Sequence, residues 1–414
     1  MRRRLSSNNS HAEISLRSPL LNAMSKQVIL SASRTPIGAF RGSLARVPAS
    51  QLGATAIRGA LAKANIHDAD VSDVLMGNVL QAGQGQAPAR QAALAAGLPA
   101  STRAVTINKV CASALQAVMQ GCHAIAAGDA GVVVAGGMET MSAAPYLLDQ
   151  AREGYRLGHQ QLIDSLVHDG LWDPSNNLHM GACAEVCARK YGFTREQQDA
   201  FAKVSFERAN ASQKAGSFDR EITPVEIASK GTTEWVGADE GPSKANYAKM
   251  PTLRPCFEKN GTITAANAST LNDGAAAVVL ASESLSAQRG WKPVARVVSF
   301  GSHAQEPIWF TTAPAQAATN ALKRAGWTLA DVDLWEVNEA FAVVPMAFMA
   351  ELGISHDKLN VRGGAIALGH PLGASGVRIL VTLLDSLRER GLQRGVAALC
   401  IGGGEGMAVC VELI

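Results

Sequence analysis

The strongest constraint on the fold is that the chain repeats itself. Ala60-Leu61-Ala62-Lys63-Ala64, followed by Ala69-Asp70-Val71, lines up without a gap on Ala321-Leu322-Lys323-Arg324-Ala325 and Ala330-Asp331-Val332. Each copy reads as the end of a helix, a short turn and a buried strand. Further along, Ala112-Ser113-Ala114-Leu115 corresponds to Ala374-Ser375-Gly376-Val377, and each opens a long helix. The strands that follow end in Ala135-Gly136-Gly137-Met138-Glu139 and Ile401-Gly402-Gly403-Gly404-Glu405. A strand–helix alternation that recurs in this way predicts two related α/β domains.

Residues 147–270 break the pattern. Trp172-Asp173-Pro174-Ser175-Asn176-Asn177 is turn chemistry, Arg195–Gly216 predicts an amphipathic helix, and Gly231–Pro255 reads as a loop. The expected organisation is an N-terminal extension (1–25), a first half (26–146), an inserted loop domain (147–270) and a second half (271–414). A long insertion between two regular halves is expected to cover a substrate.

Composition excludes several function classes. The chain has 414 residues, 47% apolar and 18% charged, and its net charge of +3 gives no footing for nucleic acid or a membrane surface. The seven cysteines, an odd and scattered set, point to free thiols in a reducing compartment. No apolar run reads as long enough to cross a bilayer. The first 23 residues carry Arg2, Arg3, Arg4 and Arg17 among Ser and Asn, with Met24 as a second possible start. The expected location is the cytoplasm. The tail also has the composition of a mitochondrial matrix signal, and Arg4-Leu5 with His11-Ala12 matches an N-terminal peroxisomal address.

Three residues carry chemistry. Cys111 follows Ile107-Asn108-Lys109-Val110 and falls where a helix should start. Unpaired N–H groups there are expected to lower the thiol pKa. His370 lies in Gly363–Gly376 and Cys400 in Cys400–Gly406, both too glycine-rich for ordinary core. Two thiols and an imidazole in such settings point to acyl transfer through a thioester. His179, Cys183 and Cys187 are spaced four apart and could face one side of a helix, but no fourth ligand is evident and no metal is expected.

Asn108-Lys109-Val110-Cys111, Asn338-Glu339-Ala340-Phe341-Ala342, Gly363–Gly376 and Cys400–Gly406 together resemble the signature blocks of the thiolases. Arg34-Thr35-Pro36-Ile37-Gly38 and Gly77–Gly83 resemble the acetoacetyl-CoA-forming branch. The resemblance implies a fold of two β-α-β-α-β-α-β-β halves in five αβαβα layers, a homodimer or homotetramer, and acetyl-CoA C-acetyltransferase chemistry. Acetyl-CoA, acetoacetyl-CoA and CoA are then substrates and products, with no separate cofactor. It implies Cys111 as the acylated nucleophile, His370 as base and oxyanion donor, and Cys400 as proton carrier. Asn338 would hold a water at the enolate oxygen, and Gly402 would supply a backbone N–H to the acyl oxyanion. His179, Met180, Ser269, Phe310 and Phe341 are implied at the substrate. The alternatives are a broader-chain 3-ketoacyl-CoA thiolase of β-oxidation and a non-catalytic acyl-CoA-binding protein.

Three positions depart from the family pattern. Ala114 stands where many relatives have Gly, and Ala266 and Thr270 flank Asn267-Ala268-Ser269 in place of glycines. Glu306–Pro314 brings Trp309 and Phe310 to the expected acyl pocket, which predicts a short acyl chain. Lys244, Lys249 and Arg254 lie in the loop region, where two readings stay open: contacts to the CoA phosphates, or solvated charges.

Overall fold

The computed structural model describes residues 26–229 and 232–414. The targeting readings of residues 1–23 lie outside them. The first half runs β1 (Gln27–Arg34), α1 (Ala49–Ala64), β2 (Val71–Gly77), α2 (Pro88–Ala95), β3 (Arg103–Ile107), α3 (Ser113–Ala127) and β4 (Val132–Thr140). The insertion carries α4 (Met180–Tyr191) and α5 (Arg195–Lys214), after which β5 (Asn272–Ser282) completes the first sheet. The second half runs β6 (Ala295–Ala304), α6 (Ala313–Ala325), β7 (Leu334–Val337), α7 (Val343–Leu352), α8 (Ser375–Arg390), β8 (Arg394–Ile401) and β9 (Glu405–Leu413).

The duplication is visible in the strand order. The first sheet reads β1-β5-β4-β2-β3, and the second reads β6-β9-β8-β7 with Leu359 bridged in parallel to Trp335 where β3 has its counterpart. In each half the last strand runs antiparallel to both neighbours while the interior pairs are parallel. The sheets meet at one edge, where Val28 pairs with Arg296 and Ile29 with Ala295.

The boundary expected at residue 271 therefore moves. Asn272–Ser282 is hydrogen-bonded between β1 and β4, so it belongs to the first half and not the second. Period and hydrophobicity show a strand but not its partners, and here the partners lie across the whole insertion.

Alternation along β4 explains the layers. Val132 and Val134 pack outward with α1 and α2, while Val133 and Ala135 pack inward with α3 and α8. Across the central helices, Leu399, Val409 and Val411 close the other side. The outer face of the second sheet, including Trp335, Val396 and Ala398, is covered by α6 and α7. Strands buried on both faces lose the polar alternation of a surface sheet, as these have. Because α3 is wedged between two sheets, it can be apolar on most sides. Val110–Ala127 makes an 18-residue window apolar enough to cross a membrane, half of it buried inside the protein. That window is longer than the sequence reading allowed.

The insertion is fastened by buried charges. Arg34, at the end of β1, donates through Nε to Glu221 (2.8 Å) and through both Nη atoms to Asp239 (2.8 and 2.9 Å). Arg362 in the second half bonds the same Glu221 at 2.7 Å and Asp385 at 2.9 Å. Removing one partner of such a set strands a buried charge, at a cost of about 3–5 kcal/mol. One stretch read as loop is paired: Thr232–Val236 forms a hairpin with Val225–Ser229. The capping box of Thr194 and Gln197 starts α5 where the amphipathic pattern begins.

Candidate active site

Cys111 sits in the turn before α3, and Ala112 separates it from the first helical residue. The turn is held by short-range bonds. Asn108 Oδ1 accepts from Val110 N–H at 3.0 Å, while Ser113 Oγ accepts from Lys109 N–H at 2.8 Å and donates to the Val110 carbonyl at 2.6 Å. Val110 takes φ of 45°. For a β-branched residue that region costs on the order of 1–3 kcal/mol, so the surroundings must impose it.

The backbone N–H groups of Gly402 and of Cys111 itself favour the charged form of the Cys111 sulfur. Burial outweighs them and pushes the thiol up to about 11. The lowered pKa expected from a helix start is thus overturned. The thiol precedes the helix by two residues, and desolvation of the charged form exceeds what two N–H dipoles return.

His370 is presented by backbone geometry. Gly369 has φ of 111°, and a Cβ there would lie 2.3 Å from Asn272 Cγ. Only glycine lets the chain pass Asn272, whose Oδ1 accepts from the His370 N–H at 3.0 Å. On the ring, Nδ1 lies 2.6 Å from Ser375 Oγ, and that hydroxyl lies 2.8 Å from the Pro371 carbonyl. A carbonyl can only accept, so the single hydroxyl proton goes to Pro371 and Ser375 accepts from Nδ1–H. Nε2 is left with its lone pair free to act as a base. Burial, followed by the nearby Arg378 cation, holds the imidazole down at about 3. The resting site therefore contains a neutral thiol and a neutral imidazole.

Beneath this pair lie Asn338 and Cys400, both fully buried. Asn338 Nδ2 is 3.4 Å from His370 Nε2, a long contact, and its Oδ1 has no partner. Burial and then the neighbouring Cys111 raise the Cys400 thiol well above its usual range. Glu339 accepts from Ser205 Oγ at 2.6 Å, Asn360 Nδ2 at 2.8 Å and Ile366 N–H at 3.2 Å. It ties α5 to the segment leading to His370.

A cavity of about 460 Å³ opens onto the reacting groups. Cys111, His370, Gly402, His179, Met180, Ser269, Phe310 and Phe341 all line it, so the residues expected at the substrate converge there. His179 caps α4 through Nδ1, which accepts from Gly181 N–H at 3.0 Å, and its ring stacks on Phe257 at 4.8 Å. Cys183 and Cys187 pack in the outer core of the second half instead of facing a shared centre with it. Trp309 does not line the cavity; it lies under the Lys190 ammonium at 4.4 Å. An adjoining cavity of about 540 Å³ is lined by Lys244, Lys249, Ala266 and Thr270, whereas Arg254 touches neither. The departure at Ala114 is absorbed by Gly137, where a second Cβ would come within 2.8 Å of the Ala114 methyl.

Sequence reasoning missed Ser375, Asn272 and Glu139. Ser375 was within reach, since it is the repeat counterpart of Ser113. Asn272 and Glu139 act through contacts more than ninety residues away in the chain, which no local pattern reveals.

Two duplicated α/β units that bring a thiol and an imidazole to one apolar cavity, with a second thiol buried beneath them, define a thioester-handling acyltransferase architecture. The family model for the thiolase N-terminal domain matches residues 27–284 and that for the C-terminal domain residues 291–413, so the chain belongs to the thiolase family. It is 52% identical over 391 residues to an acetyl-CoA acetyltransferase of Cupriavidus necator, covering 94% of this chain and all of that one. It is 51% identical to acetyl-CoA acetyltransferase 2 of Arabidopsis thaliana, over 93% of this chain and 96% of the relative. Among solved structures, the Bacillus anthracis acetyl-CoA acetyltransferase superposes with a TM-score of 0.93 at 39% identity, covering 95% of this chain and 100% of the other. A thiolase from Ascaris suum in complex with coenzyme A superposes with a TM-score of 0.89 at 43% identity, covering 94% and 100%.

With the Cys111 thiol held near 11, thiolate is scarce in the substrate-free enzyme at neutral pH. Its alkylation by iodoacetamide, followed by peptide mapping, is expected to keep accelerating between about pH 8 and pH 10. A plateau below about pH 8 would mean a thiolate–imidazolium pair instead.

Proposed function

We propose that the chain is an acetyl-CoA C-acetyltransferase, which condenses two acetyl-CoA to acetoacetyl-CoA and CoA and runs the thiolysis in reverse. The observation that carries this reading is a thiol that lines one cavity together with the Gly402 backbone of the other half and with His370, whose Nδ1 is engaged by Ser375. The activity is that of the acetyl-CoA acetyltransferases it resembles at about half identity over nearly all of its length.

The chemistry follows from charge placement. As Cys111 attacks the acetyl thioester, its proton passes to His370 Nε2, so neither charge exists alone in the desolvated site. The tetrahedral oxyanion falls between the N–H groups of Cys111 and Gly402. CoA leaves as the free thiol, taking its proton from Cys400, and a second acetyl-CoA enters. The Cys400 thiolate left by that transfer removes a proton from the methyl group of this second acetyl-CoA. The enolate oxygen is met by the Nε2–H that His370 took from Cys111 and by a water held on Asn338, whose orphaned Oδ1 fits such a water. The carbanion attacks the acetyl-Cys111 carbonyl, a C–C bond forms, and the Cys111 thiolate departs and takes its proton back from His370 Nε2. CoA serves as substrate and product, and no metal or redox step is required. The adjoining cavity with Lys244 and Lys249 is where the phosphates would lie.

Cys111→Ser is expected to abolish the acyl-enzyme, and Cys400→Ser to leave acylation measurable by mass spectrometry while condensation disappears. Equal loss of acylation in both would overturn this division of roles.

Chain length is set by aromatic walls. Phe341 meets Phe310 at 6.3 Å and Phe257 at 6.0 Å, both edge-on, and together they close the acyl end. Acetoacetyl-CoA should be thiolysed far faster than a long-chain 3-ketoacyl-CoA; comparable kcat/KM values would favour the β-oxidation reading.

For assembly, β3 ends its sheet with Arg103 and Val105 exposed along a free edge. Such an edge is a ready template for pairing, and we assign it to the same strand of a second copy. Val105→Pro is then expected to lower the mass measured by light scattering, and an unchanged mass would place the contact elsewhere.

A further inference from the structure

The two halves finish their next-to-last strand alike. β4 ends in Gly136-Gly137-Met138-Glu139, and β8 is followed by Gly402-Gly403-Gly404-Glu405. Each glutamate bonds outside its own half. Glu139 is fully buried, and its Oε2 accepts from the Gly373 N–H at 2.8 Å and the Val79 N–H at 3.0 Å. Its Oε1 accepts from Asn78 Nδ2 at 2.8 Å and the Leu80 N–H at 3.2 Å. Gly373 belongs to the turn between His370 and α8. Glu405, in the second half, forms an ion pair with Lys109, which belongs to the turn between β3 and Cys111. Placing Ser113 on Ser375 puts Cys111 opposite Gly373 and Lys109 opposite Pro371.

We propose that Glu139 and Glu405 are reciprocal positioning residues, each holding the catalytic turn of the opposite half: Glu139 the His370 turn, Glu405 the Cys111 turn. The proposal rests on Cys111 and His370 as the reacting pair. Three observations support it. The Val110 conformation is strained, so the Cys111 turn needs an external hold beyond its own hydrogen bonds. Gly402, three residues before Glu405, lies against the strained Val110, where a Cβ at Gly402 would come 3.5 Å from Val110 Cγ1, so the ion pair secures the same contact from its other side. All four bonds to Glu139 come from donors, so an amide N–H placed on that side chain would face a donor and break one of them. The function of this pair of contacts is register. Thiol, imidazole and oxyanion donors come from different halves, and a displacement of about 1 Å between such groups costs up to roughly a hundredfold in rate.

The test is single-turnover acylation of Cys111 by acetyl-CoA, with Lys109→Met, Glu405→Met, the double methionine variant, the exchange Lys109→Glu/Glu405→Lys, and Glu139→Gln. Each single methionine variant should lower the maximal acylation rate about tenfold while leaving the half-saturating acetyl-CoA concentration unchanged. The double variant should be no worse than either single, and the exchange should recover the rate to within about threefold. Glu139→Gln should lower the same maximal rate. Additive singles, or an exchange that restores nothing, would overturn the role of Glu405. A folded Glu139→Gln enzyme with the wild-type rate would overturn that of Glu139. Should that variant not fold, Asn78→Ala, which removes one of the four donors, must slow acylation in the same direction or the proposal fails for Glu139. Absence of Cys111 acylation in the unaltered enzyme would instead overturn the reading on which the proposal rests.

Discussion

Everything in this protein depends on a helix layer that has sheet on both sides. α8 is buried along nearly its whole length and α3 is apolar enough to need cover on more than one side, and one sheet could cover only one face of each. A single copy of the repeat would leave that third helix exposed to water. Two copies solve the problem together, each sheet covering the helices from its own side. The same packing brings the N-terminal ends of both helices side by side, and the chemistry is located there. The active site is thus a by-product of how the core closes.

Closure also explains the electrostatics. Water is excluded from the thiol and the imidazole, so burial raises one group and lowers the other until both are neutral. That state suits an enzyme in which proton transfer and nucleophilic attack occur together. Charge appears only when substrate provides an oxyanion for the N–H groups of Cys111 and Gly402 to receive. Repeat-equivalent serines show how duplication was put to separate uses. Ser113 closes the turn that presents the nucleophile, while Ser375 selects the tautomer of the base.

Much of the site was legible in the sequence because its residues stand in short blocks that resemble the thiolase signatures. Cys111, His370, Gly402, Met180 and Phe341 could each be named from such a block, and the cavity gathers them. The reading failed where partners are remote. Asn272–Ser282 looked like the first strand of the second half because a strand's own residues do not say which edges it joins. Trp309 and Phe310 are adjacent in sequence, yet one turns into the cavity and the other outward beneath Lys190.

By itself the sequence determined that there are two related α/β units, that a reactive cysteine and histidine are divided between them, and that a long segment interrupts them. These properties are local: periodicity, capping and glycine placement are written in neighbouring residues. Tertiary structure alone decided the protonation state of the thiol, the tautomer of the base and the strand that completes the first sheet. Each of these depends on desolvation or on hydrogen bonds between segments far apart in the chain, and such quantities exist only once the chain has closed on itself.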